Sequence, residues 1–309
     1  MKLKKKSLAI LSLLLGIFIA GCSSNQDTNA NAKSEEEGYA NGDLLVEASW
    51  VKEHKDDENI QFVDMRGEGF EAGHIPGAVN MTWGALTRKD YKVDGFLADA
   101  DTFTKSMQNI GINNDSTVVV YDGGNSLGAA RLFYALEYFG HKNVKILNGG
   151  YQAWLNAGNE VATGKANPTK GNFQASANKD LQSSQEEVKN NLKSDDVVLL
   201  DTRSDAEYTG EKVRAERGGH ISGAVHLEWK NSITKNEDGV PVFKSNEELL
   251  KQFEGAGIVK DKKVVPYCQT NVRGAHTYFT LRLLGYEKVS PYEGSWAQWG
   301  NTADAPIEK

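Results

Sequence analysis

The sequence predicts an α/β protein built of two tandem domains, each a mainly parallel sheet with helices on both faces. Three observations lead there. Short apolar runs that read as buried strands alternate with segments of helical periodicity. The whole pattern then begins again after about 146 residues, a domain-sized period and not that of a solenoid. Finally, one strand-to-helix turn, Val264 to Ala275, carries a cysteine and an arginine that its counterpart in the first copy lacks.

The chain has 309 residues, a net charge of −7 and 25% charged residues, an ordinary globular composition. No clustered basic stretch points to nucleic acid as a partner. The first residues are a separate matter. Lys2, Lys4, Lys5 and Lys6 precede an apolar run from Ser7 to Ala20, too short to span a membrane comfortably. The run ends Ile19-Ala20-Gly21-Cys22, which resembles a bacterial lipoprotein signal. Residues 1–21 are therefore expected to be removed and Cys22 to be lipidated. That would anchor the protein to the cell membrane on its extracytoplasmic side through lipid and not through charge. Residues 22–43, polar and rich in Asn, Ser, Glu and Gly, read as a flexible tether.

The first domain is expected over 44–161. Val46 to Val51 reads as a short helix and Ile60 to Asp64 as a strand. A helix over 99–109 places Phe103, Met107 and Ile110 on one side. Thr117 to Tyr121 and Val144 to Leu147 are apolar runs of the kind covered on both faces. Between them a helix runs from Ser126 to Phe139, with Gly140 as its stop. Another begins at Gly149 to Trp154. Residues 162–180 have a linker composition, and the second domain is expected over 181–309.

The second copy repeats recognisable stretches of the first. Gly73-His74-Ile75-Pro76-Gly77-Ala78 returns as Gly219-His220-Ile221-Ser222-Gly223-Ala224, and Val63-Asp64-Met65-Arg66 as Leu200-Asp201-Thr202-Arg203. Val118 to Ala129 matches Val264 to Ala275 without a gap, which sets Asp122 on Cys268, Asn125 on Asn271 and Leu127 on Arg273. The first copy thus reads as non-catalytic and the second as catalytic. In the second, a loop from Cys268 to Arg273 follows a strand, and a helix is read from His276 to Leu284. A cysteine there sits among backbone N–H groups without intrahelical partners. These, the helix dipole and Arg273 favour an anion at sulfur, hence a thiolate nucleophile. With Cys22 taken by lipid, Cys268 is the one remaining thiol. A segment near Thr209 to Arg217, present only in the second copy, carries Lys212, Arg214 and Arg217 and reads equally as a solvated surface loop or as a cover over the site that would attract an anionic substrate.

Taken together, the Asp-x-Arg strand ends, Gly-His-Ile-x-Gly-Ala in both halves, Tyr-Asp-Gly-Gly at 121–124, Tyr-Cys-Gln-Thr-Asn-Val-Arg at 267–273 and Tyr292-Glu293-Gly294-Ser295-Trp296-x-x-Trp299 resemble the two-domain rhodanese family of sulfurtransferases. The resemblance covers roughly residues 44–305. It implies two rhodanese-like domains with only the second active. Cys268 would take the outer sulfur of a small anionic donor such as thiosulfate as a persulfide and pass it to cyanide or a thiol acceptor. Gln269, Thr270, Asn271, Val272 and Arg273 would form the substrate-binding loop, with no cofactor. Asp201, Arg203 and Arg217 are assigned supporting roles. Asn271, where many family loops carry Gly, is expected in a left-handed conformation. The acids in Ser204-Asp205-Ala206-Glu207-Tyr208 replace a donor-binding cation and argue for thiosulfate over 3-mercaptopyruvate. A 3-mercaptopyruvate sulfurtransferase and a membrane-tethered persulfide carrier with little turnover are the alternatives. A phosphatase-like site would need Cys-x5-Arg, one residue more than is present. The histidines lack ligand spacing, so no metal is expected. His74 and His220 are assigned structural roles because both copies keep them. The tryptophans are assigned to the core.

Overall fold

The computed structural model describes residues 38–309, so the expected signal peptide, Cys22 and most of the tether lie outside the described residues. The first half carries β1 (Leu45–Val46), β2 (Ile60–Asp64), β3 (Val79–Asn80), β4 (Thr117–Tyr121) and β5 (Val144–Leu147). Its helices are α1 (Ala48–His54), α2 (Trp83–Leu86), α3 (Ala100–Asn109), α4 (Leu127–Tyr138) and α5 (Gly150–Asn156). The strands form one sheet in the order β1-β5-β4-β2-β3, with every pair parallel. Alternation along the strands fills both faces. Val63, Val118, Val120 and Ile146 pack towards α3 and α4, whereas Phe62, Val119, Tyr121 and Leu147 pack with Val51 of α1 and Trp154 of α5.

The second half repeats this plan with β6 (Val197–Asp201), β7 (His220–Ile221), β8 (Val225–His226), β9 (Ile233–Lys235), β10 (Pro241–Phe243), β11 (Lys263–Tyr267) and β12 (Ile307–Glu308). Its helices are α6 (Gln185–Asn190), α7 (Asp205–Tyr208), α8 (Asn246–Gly255), α9 (Val272–Leu283) and α10 (Ser295–Trp299). The parallel order β11-β6-β8 matches β4-β2-β3, and parallel bridges at Val264–Val289 and Ser183–Tyr292 stand where β5 and β1 stand in the first half. Leu199, Val265 and Tyr267 face α6 and α10, while Val198, Leu200 and Val264 face α8 and α9. That second face belongs to the same apolar cluster as the α4 side of the first sheet, so the two halves share one core where α4 meets α9.

Two expectations about connections change. The tether does not remain free to residue 43. The backbone N–H of Asn41 reaches the carbonyl of Leu283, and Tyr39 hydrogen-bonds Lys244, so the chain is already docked on the second half before the first begins. Residues 162–180 do link the halves, but they lie along the first. The N–H groups of Phe173, Ser176 and Asn178 donate to the carbonyls of Ile112, Phe139 and Tyr138, and the Phe173 ring is buried. Polar composition signalled a connector, and the backbone donors of that connector found acceptors on the domain surface. No helix among the described residues is long and apolar enough to cross a membrane.

Candidate active site

β11 ends at Tyr267 and α9 begins at Val272, so Cys268 to Asn271 is the entire connection. The helix starts four residues earlier than expected, and Arg273 lies in its first turn and not in the loop. Asn271 makes this possible. With φ 56° it adopts the left-handed backbone that turns a strand end into a helix start, as the sequence suggested.

The gapless match between the halves fails inside this loop. Tyr121 and Tyr267 are equivalent, since their hydroxyls accept from the backbone N–H groups of Ile75 and Ile221. Further on, His141 closes on Leu136 as Tyr286 closes on Leu281. Between these landmarks the first half has one residue more. Ser126, with φ 60°, therefore stands where Asn271 does, and Gly128, not Leu127, stands where Arg273 does.

Three carbonyls of the Cys268 loop are drawn away from its centre. Those of Cys268 and Gln269 accept the N–H groups of Trp296 and Ala297 at 2.9 Å each, and that of Asn271 accepts the N–H of Ala275 at 3.2 Å, the first bond of α9, and Arg131 at 3.3 Å. The N–H of Cys268 donates to Ser295 Oγ, which in turn donates to the carbonyl of Tyr292. Among the described residues, the N–H groups of Gln269, Thr270, Asn271, Val272 and Arg273 donate to no protein acceptor. Because a trans peptide sets C=O and N–H in opposite directions, pulling carbonyls outward turns donors inward, at the positive end of α9. Cys268 sits at this point as a free thiol, 1% exposed.

Arg273 follows in the first turn of α9, and the charge of the Cys268 sulfur is among the influences that raise its pKa. Its two terminal nitrogens donate to Glu207 at 2.6 and 3.0 Å. Burial opposes the charges of both partners. The fork-to-carboxylate pairing outweighs it, holding Glu207 down at about 2 and Arg273 above its ordinary value. Arg214 pairs more loosely with the same carboxylate at 3.4 Å, and its carbonyl accepts from the Gln269 side chain. The segment at 209–217 thus does border the loop. Arg217, however, is not available to a substrate. Its guanidinium is spent on the carbonyls of Trp299, Gly300, Thr302, Ala303 and Ala305, at the end of α10 and in the turn that follows it. Arg203 grips Asp201 at 2.5–3.0 Å and the carbonyl of Gly219, as Arg66 grips Asp64 and the carbonyl of Gly73. It also lies 4.3 Å over the Trp296 ring and 5.8 Å over that of Tyr267, so it braces the loop through α10 and the end of β11.

In the first half the same cradle is filled from within. Asp122 Oδ1 accepts from the N–H groups of Gly124 and Ser126 at 2.9 and 3.0 Å, and Oδ2 from Gly128 and Ala129 at 2.9 and 3.4 Å. Burial pushes this carboxyl up while those four donors pull it back down. An open hollow of about 520 Å³ beside it is lined by Arg66, Asn125, Gln152 and Pro241.

His74 and His220 are structural as expected, each bonded through Nδ1 to a backbone carbonyl and stacked on Phe70 and Tyr208. Trp154, Trp229, Trp296 and Trp299 are buried, but Trp83 departs from the core assignment at 37% exposed, because α2 lies at the surface of the first half. Sequence reasoning missed Glu207, Ser295, Glu293 and Arg131. Ser204-x-x-Glu207 was visible as a capping box, which the structure forms, but a box says nothing of a distant arginine. Among the described residues no cluster of His, Cys, Asp and Glu suits a metal ion.

The model of the rhodanese-like domain matches twice, at residues 47–157 and 184–302. A sulfur carrier protein, TtuD of Thermus thermophilus, is 36% identical over 290 residues, covering 88% of this chain and 99% of its own. A protein of Mycobacterium leprae, named provisionally as a thiosulfate sulfurtransferase, is 33% identical over 87% of this chain and 99% of its own. Among solved structures, the 3-mercaptopyruvate sulfurtransferase SseA of Escherichia coli superposes with a TM-score of 0.74 at 30% identity, over 82% of this chain and 98% of that one. An anaerobic ergothioneine biosynthesis enzyme of Chlorobium limicola does so with 0.76 at 27% identity, over 87% and 70%.

Proposed function

The chain belongs to the rhodanese family of sulfurtransferases, and we propose that it moves sulfane sulfur from thiosulfate to cyanide or a thiol through a persulfide on Cys268. The carrying observation is the contrast between the two loops. Both present a ring of backbone donors. In the first half a carboxylate, Asp122, occupies it, and in the second the donors around Cys268 have no protein partner. A site that satisfies a built-in anion in one copy suits an anionic sulfur in the other. The Cys268 thiolate attacks the outer sulfur of thiosulfate, the S–S bond breaks, and sulfite leaves with the electron pair. The acceptor then attacks the terminal sulfur and the Cys268 thiolate is released. The loop N–H groups stabilise thiolate, persulfide and developing charge alike. Arg273, held by Glu207 in the first turn of α9, supplies the positive charge that favours the departing sulfite.

A second reading, a persulfide carrier with little turnover, is favoured by the name of the Thermus relative. One experiment separates the two. After incubation with thiosulfate, intact mass should rise by about 32 Da, one sulfur atom, in the wild type and not in Cys268→Ser, and cyanide should remove the gain as thiocyanate over many turnovers. Sulfur loading without turnover would select the carrier. No loading would sink the thiosulfate assignment.

A further inference from the structure

One side chain of the first half ends against the loop that carries the thiol in the second. Arg131 lies in the middle of α4, in Ala129-Ala130-Arg131-Leu132-Phe133, and is fully buried. A buried guanidinium is costly unless its donors are met. Here all but Nε find acceptors. Nη2 and Nη1 donate to the Glu293 carboxylate at 2.5 and 3.1 Å, Nη1 also to the carbonyl of Asn271, and Nη2 to the carbonyl of Gly95 at 2.8 Å. Glu293, itself 2% exposed, also accepts the backbone N–H of Leu97 at 2.8 Å and the Asn271 side-chain amide at 2.7 Å. One carboxylate thus ties Arg131 and Leu97 of the first half to Asn271 of the second.

A separate contact presses on the neighbouring residue. Gly95 has φ +89°, and a Cβ there would stand 2.6 Å from Thr270 Cβ and 2.8 Å from the Thr270 carbonyl oxygen. Only a glycine lets the first-half backbone lie this close against the loop. Both contacts bear on Thr270 and Asn271, the part of the loop that α10 does not hold.

From this geometry we infer that Arg131 is a positioning residue for sulfur transfer, supplied to the active loop by the half that has no nucleophile. The Asn271 carbonyl accepts the Ala275 N–H at 3.2 Å as the first bond of α9, and Arg131 is its second donor. Together with the Glu293 hold on the Asn271 side chain, Arg131 fixes this peptide and so the aim of the Val272 N–H, as α10 does for the N–H groups of Gln269 and Thr270. The catalytic consequence rests on the sulfurtransferase reading. The mechanical part does not.

The test compares Arg131→Met, Arg131→Lys and Glu137→Gln in the full-length chain, purified in detergent. Lysine keeps the charge opposite Glu293 but cannot span both carbonyls. Glu137 pairs with Tyr278 and Arg282 elsewhere on the α4–α9 contact, so its replacement weakens the junction without touching the loop. Hydrogen exchange of the peptide over 268–275 should quicken at least tenfold in both Arg131 variants and stay unchanged in Glu137→Gln. With thiosulfate, kcat should fall at least tenfold with KM for the donor little altered, less severely for lysine than for methionine. Should the methionine variant fail to fold, the lysine variant alone decides. Unchanged loop exchange, or quicker exchange with unchanged kcat, overturns the inference. A wild type that forms no persulfide with thiosulfate defeats the proposed function instead, and the exchange data still decide whether the clamp exists.

Discussion

Both terminal nitrogens of Arg273 face Glu207, so the strongest cation beside Cys268 reaches a donor already half neutralised. Glu207→Gln keeps an oxygen to hold the guanidinium in place and removes one negative charge. A dianion such as thiosulfate should gain about 1 kcal/mol of attraction, seen as a KM lowered about fivefold, while a neutral persulfide donor gains nothing. The change should also lower Tm, because a largely buried arginine loses its counter-charge. Equal effects on both donors would show that Glu207 orients Arg273 and does not set its charge. His276 offers a different single-residue test. It is buried between Phe243 and Trp229, neither ring nitrogen has a partner, and burial lowers its pKa from 6.5 to about 3. Between those values the unfolded chain binds a proton that the folded chain refuses, so stability declines as pH falls below 6.5, approaching about 1.4 kcal/mol per pH unit for this group. The stability that Glu207 contributes is fully present above 4.5 and is lost only below it, and burial of His141 acts in the same direction as His276. His276→Phe, which suits the aromatic surroundings, should therefore flatten the denaturation midpoint between pH 6.5 and 5 without abolishing the slope. An unaltered slope would mean that His276 finds a partner in solution.

At the scale of elements, strands and helices were legible because their signals are local. Ile60–Asp64, Thr117–Tyr121 and Val144–Leu147 match the reading to the residue, since an apolar run bounded by polar residues has little freedom in where a strand can lie. The Cys268 loop was legible as a candidate site for a similar reason, a cysteine at a strand end followed by a helix. What failed there was register. Asn125 and Asn271 look equivalent in sequence, yet a backbone that needs one left-handed residue can take it from Asn or from Ser126, and only the hydrogen bonds beyond the loop reveal the extra residue. Arg217 failed in another way. A basic residue in an inserted segment looks like a substrate cation, but the carbonyls that cluster at a helix end and its following turn attract the same guanidinium. Glu207, Arg131 and Glu293 act across the fold, and no spacing along the chain encodes their partners. The one hint was a lone arginine in the apolar run of α4, which a surface helix face would not explain.

For the molecule as a whole, the shared core decides whether the catalytic half can stand alone. α9 carries the active loop at its start and buries Tyr278 and Phe279 against Tyr134 and Phe133 of α4, with ring centroids 5.1 and 4.9 Å apart. Removing the first half would expose this face, and it would leave Glu293 without the arginine that balances it. Each buried aromatic contributes roughly 1.5–3 kcal/mol, and a domain is stable by only about 5–15 kcal/mol in total. Two such rings and an orphaned carboxylate are enough to consume most of that margin. The chain over 181–309 expressed alone is therefore expected to be aggregated or to lack a cooperative melting transition, and to take up no sulfur. Co-expression with residues 38–180 should restore both, because every lost contact is supplied by that segment. A soluble, cooperatively folded 181–309 that forms persulfide at the wild-type rate would show that the first half is neither core partner nor positioning frame, and would leave the cradle filled by Asp122 as a relic of duplication alone.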